Sequence, residues 1–446
     1  MSVALSTVSS ASWWARPLSL RAFAGVVAAA LAVMAIAFAA ELAIRTESDI
    51  GRSDLRVYES YGSEMIKRAV PYRDFSLEYP PGALPMFVAP SSHILARGST
   101  DEATWEPMNG DAKRYYRVFT SLVIIIAGVM LIVTGLSLAA LRRPARTVLL
   151  ALGVVALSPL LIGEAFLGRF DVWPAALTAA ALAASVRGRY RLGSAALGLG
   201  AATKIYPALL VPVLVIVVAR HRGLREAVLA AVIATGAAVA VFLPFAIASF
   251  SGTWEALRIQ FQDGLQIESL ASSLLVAASH LGGKLAALGL PPPSALTNRA
   301  IETGIHRSVL VGAGVDATAT VISVLLAVAL VALFVRLAGS RGDPHEDLVR
   351  YAAAVTATTL VLGTTLSPQY VIWLVPLVPL VGGRRGASAT AFFAVAALLT
   401  RFWFPSGYRI YENGLGAGPV ALLLARNLAL LATALVLVLP RRSAEG

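Results

Sequence analysis

The stretch "LGSAALGLGAATKIYPALLVPVLVIVVA", residues 192–219, decides the fold. It is almost wholly apolar, yet arginines stand at both of its ends, in "RGRYR" (187–191) and "ARHRGLR" (219–225). Short loops rich in Lys and Arg mark the cytoplasmic side of a membrane protein, so the stretch enters and leaves on one side. At 1.5 Å per residue each half reaches only about 18–24 Å, short of a bilayer core about 30 Å thick. The Gly-rich first half, Lys204 and Pro207 therefore predict two short helices that meet inside the membrane. Non-helical backbone at that depth is tolerated only where protein or a wet cavity covers it.

The rest of the chain fits that setting. Of its 446 residues, 57% are hydrophobic and 14% charged, against roughly 25% charged in a soluble domain. Mean hydropathy is +0.75. There is no cysteine, so no disulfide and no thiolate metal site. The net charge of +12 lies largely in short loops such as "LRRPAR" (141–146), "GGRRG" (382–386) and "PRR" (440–442). That pattern speaks for membrane sidedness and against nucleic acid as a partner.

With those loops inside, residues 1–21 form a cytoplasmic tail and the first apolar run is a retained span rather than a cleaved leader. Residues 22–440 read as a single transmembrane domain, and 441–446 as a second cytoplasmic tail. Spans are expected near 22–43, 116–140, 147–164, 171–186, 226–248, 309–335, 348–366, 369–382, 387–403 and 417–439. The fold class is an all-α polytopic membrane protein of about ten full passes plus the pair of short re-entrant helices. A large outer loop covers 44–115 and holds 11 of the 25 acidic residues. A connector needs only a few residues, so that loop reads as folded and functional. A second outer region covers 249–308. Shorter outer segments carry "GEAFLGRFD" (163–171), "TTLSPQY" (364–370) and "FPSGYRIYENG" (404–414).

Chemistry is expected in these outer segments. In "SDLRVY", Asp54 and Tyr58 are four apart and share a face if the segment is helical. Asp54 could act as a general base, or Ser53 and Asp54 could simply cap a helix. In "PYRDFSLEYPP" (71–81), prolines stiffen a frame that carries Tyr72, Arg73, Asp74, Glu78 and Tyr79. Aromatic faces beside carboxylates suit a sugar; tyrosines at a membrane interface are the plainer reading. Asp54, Asp74 and Glu78 all remain open as the base. "GRFDVWP" places Arg169 and Asp171 at the outer end of a span, where Asp171 is a natural N-cap. Lys204 lies near the apex of the short pair, where an ionisable group reads as functional by default and an ammonium suits a phosphate. "LQIESL" offers Gln266, Glu268 and Ser269 as ligand contacts or helix caps, and "LSPQYVIW" offers Gln369 and Tyr370. Metal ligands are scarce: one E-x-D at Glu47 and Asp49, and scattered histidines, of which His93, His280 and His306 fall outside. No metal or other cofactor is expected.

These motifs, in this order over roughly residues 20–440, resemble glycosyltransferase family 87 of the GT-C superfamily, which includes phosphatidylinositol-mannoside mannosyltransferases. The resemblance implies a GT-C-type fold in the cell membrane. It also implies transfer of a sugar, mannose or else arabinose, from a polyprenyl-phosphate donor to a glycolipid or glycan acceptor. Transfer would take place at the outer membrane face, with inversion. Carried onto this chain, it makes Asp54 the base and Tyr72, Asp74, Glu78 and Tyr79 the pocket loop. Lys204 and Tyr206 match the K-x-Y-P element, Gln266, Glu268 and Ser269 the outer-loop element, and Gln369 and Tyr370 the S-P-Q-Y element. A basic residue often precedes the Q-x-E-S element in the family, whereas Asp263 and Gly264 stand here. Arg258 or Lys204 would then supply the charge. A lipid-linked-sugar flippase is the rival expectation, since broken helices with a charged apex also mark transporters.

Overall fold

The computed structural model describes residues 13–45, 54–92, 110–261, 264–287, 299–303, 308–312, 314–412 and 415–439. Its α-helices are α1 (Leu20–Ile44), α2 (Leu55–Ile66), α3 (Leu84–Ser91), α4 (Gly110–Ala140), α5 (Ala145–Ile162), α6 (Glu164–Leu167), α7 (Val172–Ser185), α8 (Tyr190–Thr203), α9 (Val211–Arg222), α10 (Leu224–Ala248), α11 (Phe250–Arg258), α12 (Leu270–Ala287), α13 (Val315–Ala338), α14 (Pro344–Leu362), α15 (Gly383–Phe402), α16 (Tyr408–Glu412) and α17 (Ala417–Val438). Two strands, β1 (Arg299–Thr303) and β2 (Ser308–Gly312), form an antiparallel hairpin in which Arg299 faces Gly312.

The protein is a multi-pass helical membrane protein. Among the described residues, seven helices are long and apolar enough to cross a bilayer: α1, α4, α5, α10, α13, α15 and α17. Their outward faces carry large exposed apolar side chains, among them Ile36, Ile125, Val232 and Val328. A helix that is apolar all round belongs in a core or in lipid.

The short pair takes the form the sequence predicts. α8 has 14 residues and ends where Lys204 adopts an extended conformation (φ −154°, ψ 146°). A 3₁₀ turn over Tyr206–Leu210 and then the 12-residue α9 follow. Pro207 and Pro212 lack the N–H that a continuous helix would use there. α8 lies hard against α10: a Cβ at Gly198 would sit 2.1 Å from the Ala234 carbonyl oxygen.

Two expectations are corrected, and one small element is added. Residues 369–382 do not form an α-helical span. The chain makes 3₁₀ turns over Pro368–Leu374 and Val378–Leu380, because Pro368, Pro376 and Pro379 remove the donors an α-helix needs. The region 249–308 is more than an outer loop, since it holds α11 and the apolar α12. The hairpin is a small β addition to an expected all-α chain. Residues 1–12 of the first tail, the whole of the second, and Glu47, Asp49, Ser53, His93, Asp263 and His306 lie outside the described residues.

Candidate active site

A cavity of about 360 Å³ opens where the loop after α1, the re-entrant break and the segments around Glu268, Gln369 and Phe404 converge. Nine of the residues singled out in the sequence line it: Asp54, Glu78, Tyr79, Arg169, Lys204, Gln266, Glu268, Gln369 and Tyr370. They come from six separate segments of the chain, so the fold, not sequence proximity, assembles the site.

Asp54 occupies the N-cap position of α2, yet its side chain makes no capping hydrogen bond. The carboxylate instead pairs with the guanidinium of Arg169, while about a third of the Asp54 side chain stays exposed. Arg169 sits in the turn between α6 and α7, nearly buried, with its guanidinium carbon 5.6 Å from the Phe404 ring centroid. Lys204 reaches the cavity from the break between α8 and the 3₁₀ turn. Its Nζ donates to Asp171 Oδ1 at 2.7 Å and lies 4.7 Å from the Tyr370 centroid and 4.9 Å from that of Phe170. Asp171 is fully buried and also accepts from Trp373 Nε1 at 2.7 Å. The N-cap role expected of Asp171 is thus not what its side chain does: it makes no cap hydrogen bond and anchors Lys204.

The segment around Glu268 is fixed from several sides. Gln266 N donates to Thr364 O at 2.9 Å, and Ile267 N donates to Ser308 O on β2 at 3.2 Å. Gln266 Oε1 accepts from Leu366 N at 3.1 Å. Glu268 is buried at the cavity wall and accepts a hydrogen bond from Trp403 Nε1. Gln369 is 9% exposed, and among the described residues its Oε1 has no hydrogen-bond partner. A buried carbonyl oxygen without a partner at a cavity is poised to accept from whatever fills it.

Other expected residues stand elsewhere. Tyr58 is buried and stacks on Phe87 with centroids 4.5 Å apart; it supports the wall without lining it. Tyr206 is buried behind Lys204, sharing a hydrogen bond with Thr178 Oγ1 at 3.0 Å and stacking on Trp373 at 4.2 Å. Ser269 Oγ accepts from Ser272 N at 3.1 Å, a helix cap for α12. Tyr72, Arg73 and Asp74 are turned away from the cavity and line a separate recess against α11. Tyr72 takes a left-handed backbone (φ 68°), and its hydroxyl donates to Tyr79 O at 2.6 Å. Arg73 and Asp74 form an exposed pair at 2.8 Å, and that bonding holds the Asp74 carboxyl down at about 2. So weak a base is poorly matched to taking a hydroxyl proton. Arg258 is spent on Glu255 at 2.6 Å and lies off this cavity.

Sequence reading missed Gln260, Ser308, Phe404, Tyr408 and Arg409, which also line the cavity. Gln260 Nε2 donates to the Glu78 carbonyl at 2.6 Å, tying the "PYRDFSLEYPP" loop to the end of α11. Arg409 had a signal, being the one basic residue in the outer segment "FPSGYRIYENG".

Acids and cations gathered at one cavity of a membrane-spanning chain mark a functional site. The chain belongs to glycosyltransferase family 87, whose profile matches residues 78–368. It is therefore a membrane glycosyltransferase. Asp54, Arg409 and α17 lie beyond the matched stretch. Among solved structures the chain is similar to that of ArnT from Cupriavidus metallidurans bound to undecaprenyl phosphate. Identity is 14%, coverage is 93% of this chain and 77% of that one, and the TM-score is 0.46. No curated protein matches the chain.

Proposed function

We infer that the cavity transfers a sugar from a polyprenyl-phosphate donor to a glycolipid or glycan acceptor at the outer face of the cell membrane. The observation that carries this reading is the meeting of a half-open carboxylate, Asp54, with the cations Arg169, Lys204 and Arg409 in one polar cavity. A lipid-phosphate donor keeps its tail in the bilayer and needs no nucleotide pocket. Its sugar fits between the aromatic faces of Tyr79, Tyr370 and Tyr408, with Gln369 and Glu268 as hydroxyl acceptors. We assign mannose as the sugar, as the family resemblance implies, with arabinose the second candidate.

In this reading Asp54 removes the proton from the acceptor hydroxyl. The hydroxyl oxygen attacks the anomeric carbon from the face opposite the phosphate. The glycosidic bond forms as the carbon–phosphate oxygen bond breaks, and polyprenyl phosphate leaves with its new charge toward Lys204 and Arg409. As Asp54 takes up the proton, its attraction for Arg169 falls, and that guanidinium turns its charge to the leaving phosphate.

The test is turnover by the purified protein in a lipid bilayer, given an acceptor and either polyprenyl-phosphate mannose or a nucleotide mannose. Product from the first donor alone is expected, with or without a chelator. Product from the nucleotide sugar alone would overturn the reading. Movement of the lipid-linked sugar across the bilayer without transfer would put the flippase in its place.

A further inference from the structure

α17 is one of the seven helices apolar enough to span the membrane, yet it carries Arg426 and Asn427 near its middle, 0% and 1% exposed. An ionisable residue within a span is rare and costly, and it points to function by default. Both side chains converge on one residue of the cavity wall. Arg426 donates to the Glu268 carbonyl at 2.6 Å, and Asn427 Nδ2 donates to the same oxygen at 3.1 Å. A second nitrogen of Arg426 stands 3.6 Å from Glu268 Oε1, the oxygen that Trp403 also engages. Arg426 Nε donates to Asn427 Oδ1 at 3.0 Å, and Asn427 Nδ2 also donates to Ser273 Oγ at 3.1 Å, which locks the pair to the start of α12. Glu268 is thus held by its backbone and by its carboxylate at once.

The geometry points to Arg426 and Asn427 as positioning residues that aim Glu268 at the donor sugar, so that this carboxylate reads one of its hydroxyls. The assignment rests on the transferase reading of the cavity. A role as mere glue fits less well. Burying an ion pair is a poor source of stability, because desolvation offsets the attraction. Glue would also not need three nitrogens, two of Arg426 and one of Asn427, to converge on a residue that lines the cavity.

The experiment compares polyprenyl-phosphate mannose with its singly deoxygenated analogues, using the full chain in bilayers. The readout is the ratio of kcat/KM values, which is independent of the fraction of protein that folds. The wild type should reject one analogue by at least about 10-fold, the worth of a hydrogen bond to a charged group. Glu268→Gln and Arg426→Gln should each shrink that ratio, and the double variant should shrink it no further, since both act through one contact. Trp403→Phe, which keeps a ring and loses the N–H, should shrink it too and covers an Arg426 variant that does not insert. An unchanged ratio in Arg426→Gln, or in Trp403→Phe where that variant must stand in, overturns the assignment, as does a further loss in the double variant. Wild-type protein that gives no product from either the mannose or the arabinose donor sinks the transferase reading itself, and this assignment with it.

Discussion

Two ion pairs stand at the cavity, and they are arranged in opposite senses. In Asp54–Arg169 the acid is the open partner, its side chain 34% exposed against 9% for the arginine. In Lys204–Asp171 the acid is sealed at 0%, and the cation is the member that reaches the cavity. Exposure separates a carboxylate that can meet a substrate from one that can only hold its partner. The two acids sit alike in sequence, each just before a helix and each a natural cap, yet neither side chain caps. What differs is the surroundings each is folded into: loop and cavity for Asp54, and the packed faces of α7, α8 and the Pro368–Leu374 turn for Asp171.

The largest expected effect breaks the comparison on its open side. Asp54→Asn keeps the shape and can still meet Arg169, but it takes no proton. Turnover should fall about 10²–10⁴-fold, the usual worth of a general base, with donor binding little changed. Steady-state kinetics beside a binding measurement on labelled donor check this. Near-normal turnover in correctly inserted protein would remove Asp54 as the base and leave Glu78, the other unassigned acid on the wall.

The sealed side should respond in stability first. Asp171→Asn leaves an ammonium buried without its counter-charge, and breaking such a pair costs about 3–5 kcal/mol. Lys204→Met together with Asp171→Asn removes both charges and should recover most of that loss in a thermal melt. It should not recover donor affinity, because the cation at the cavity is gone. A double variant that binds donor as well as the wild type would make Lys204 a structural residue only.

Much of this was legible in the sequence because it rests on local chemistry. Arginines flanking an apolar stretch too short to cross twice gave the pair of short helices, and Lys204 fell at the break between them. The hairpin and α12 were not legible, because β1 and β2 are five-residue strands and α12 lies in a region read only by its position outside. The three prolines of "SPQYVIWLVPLVP" were visible, but the apolar run around them read as a span. Arg426 was missed for a different reason. One arginine within "LLLARNLALL" has no partner nearby in sequence, and its meaning appears only when Glu268, 158 residues away, is folded against it. The sequence likewise grouped Tyr72, Arg73 and Asp74 with Glu78 and Tyr79, because a stiff segment reads as one surface. In the fold Tyr72, Arg73 and Asp74 line only the recess beside α11, Tyr79 lines the cavity, and Glu78 borders both.

That division yields the smallest expected effect. Arg73 and Asp74 are exposed and bonded to each other, and exposed pairs contribute little. Arg73→Ala and Asp74→Asn should each leave kcat/KM within about twofold of the wild type. The Asp74 backbone anchor is the one point of risk, since Asp74 Oδ2 also accepts from Val70 N at 2.7 Å and closes the turn. Asparagine keeps an acceptor there, so Asp74→Asn tests the charge and not the turn. A tenfold loss in Asp74→Asn alone would mean that the carboxylate reaches substrate in a conformation where the loop has left α11. The Gln260 bond to the Glu78 carbonyl would then be the contact that opens, and Gln260→Ala should change the rate in the same assay.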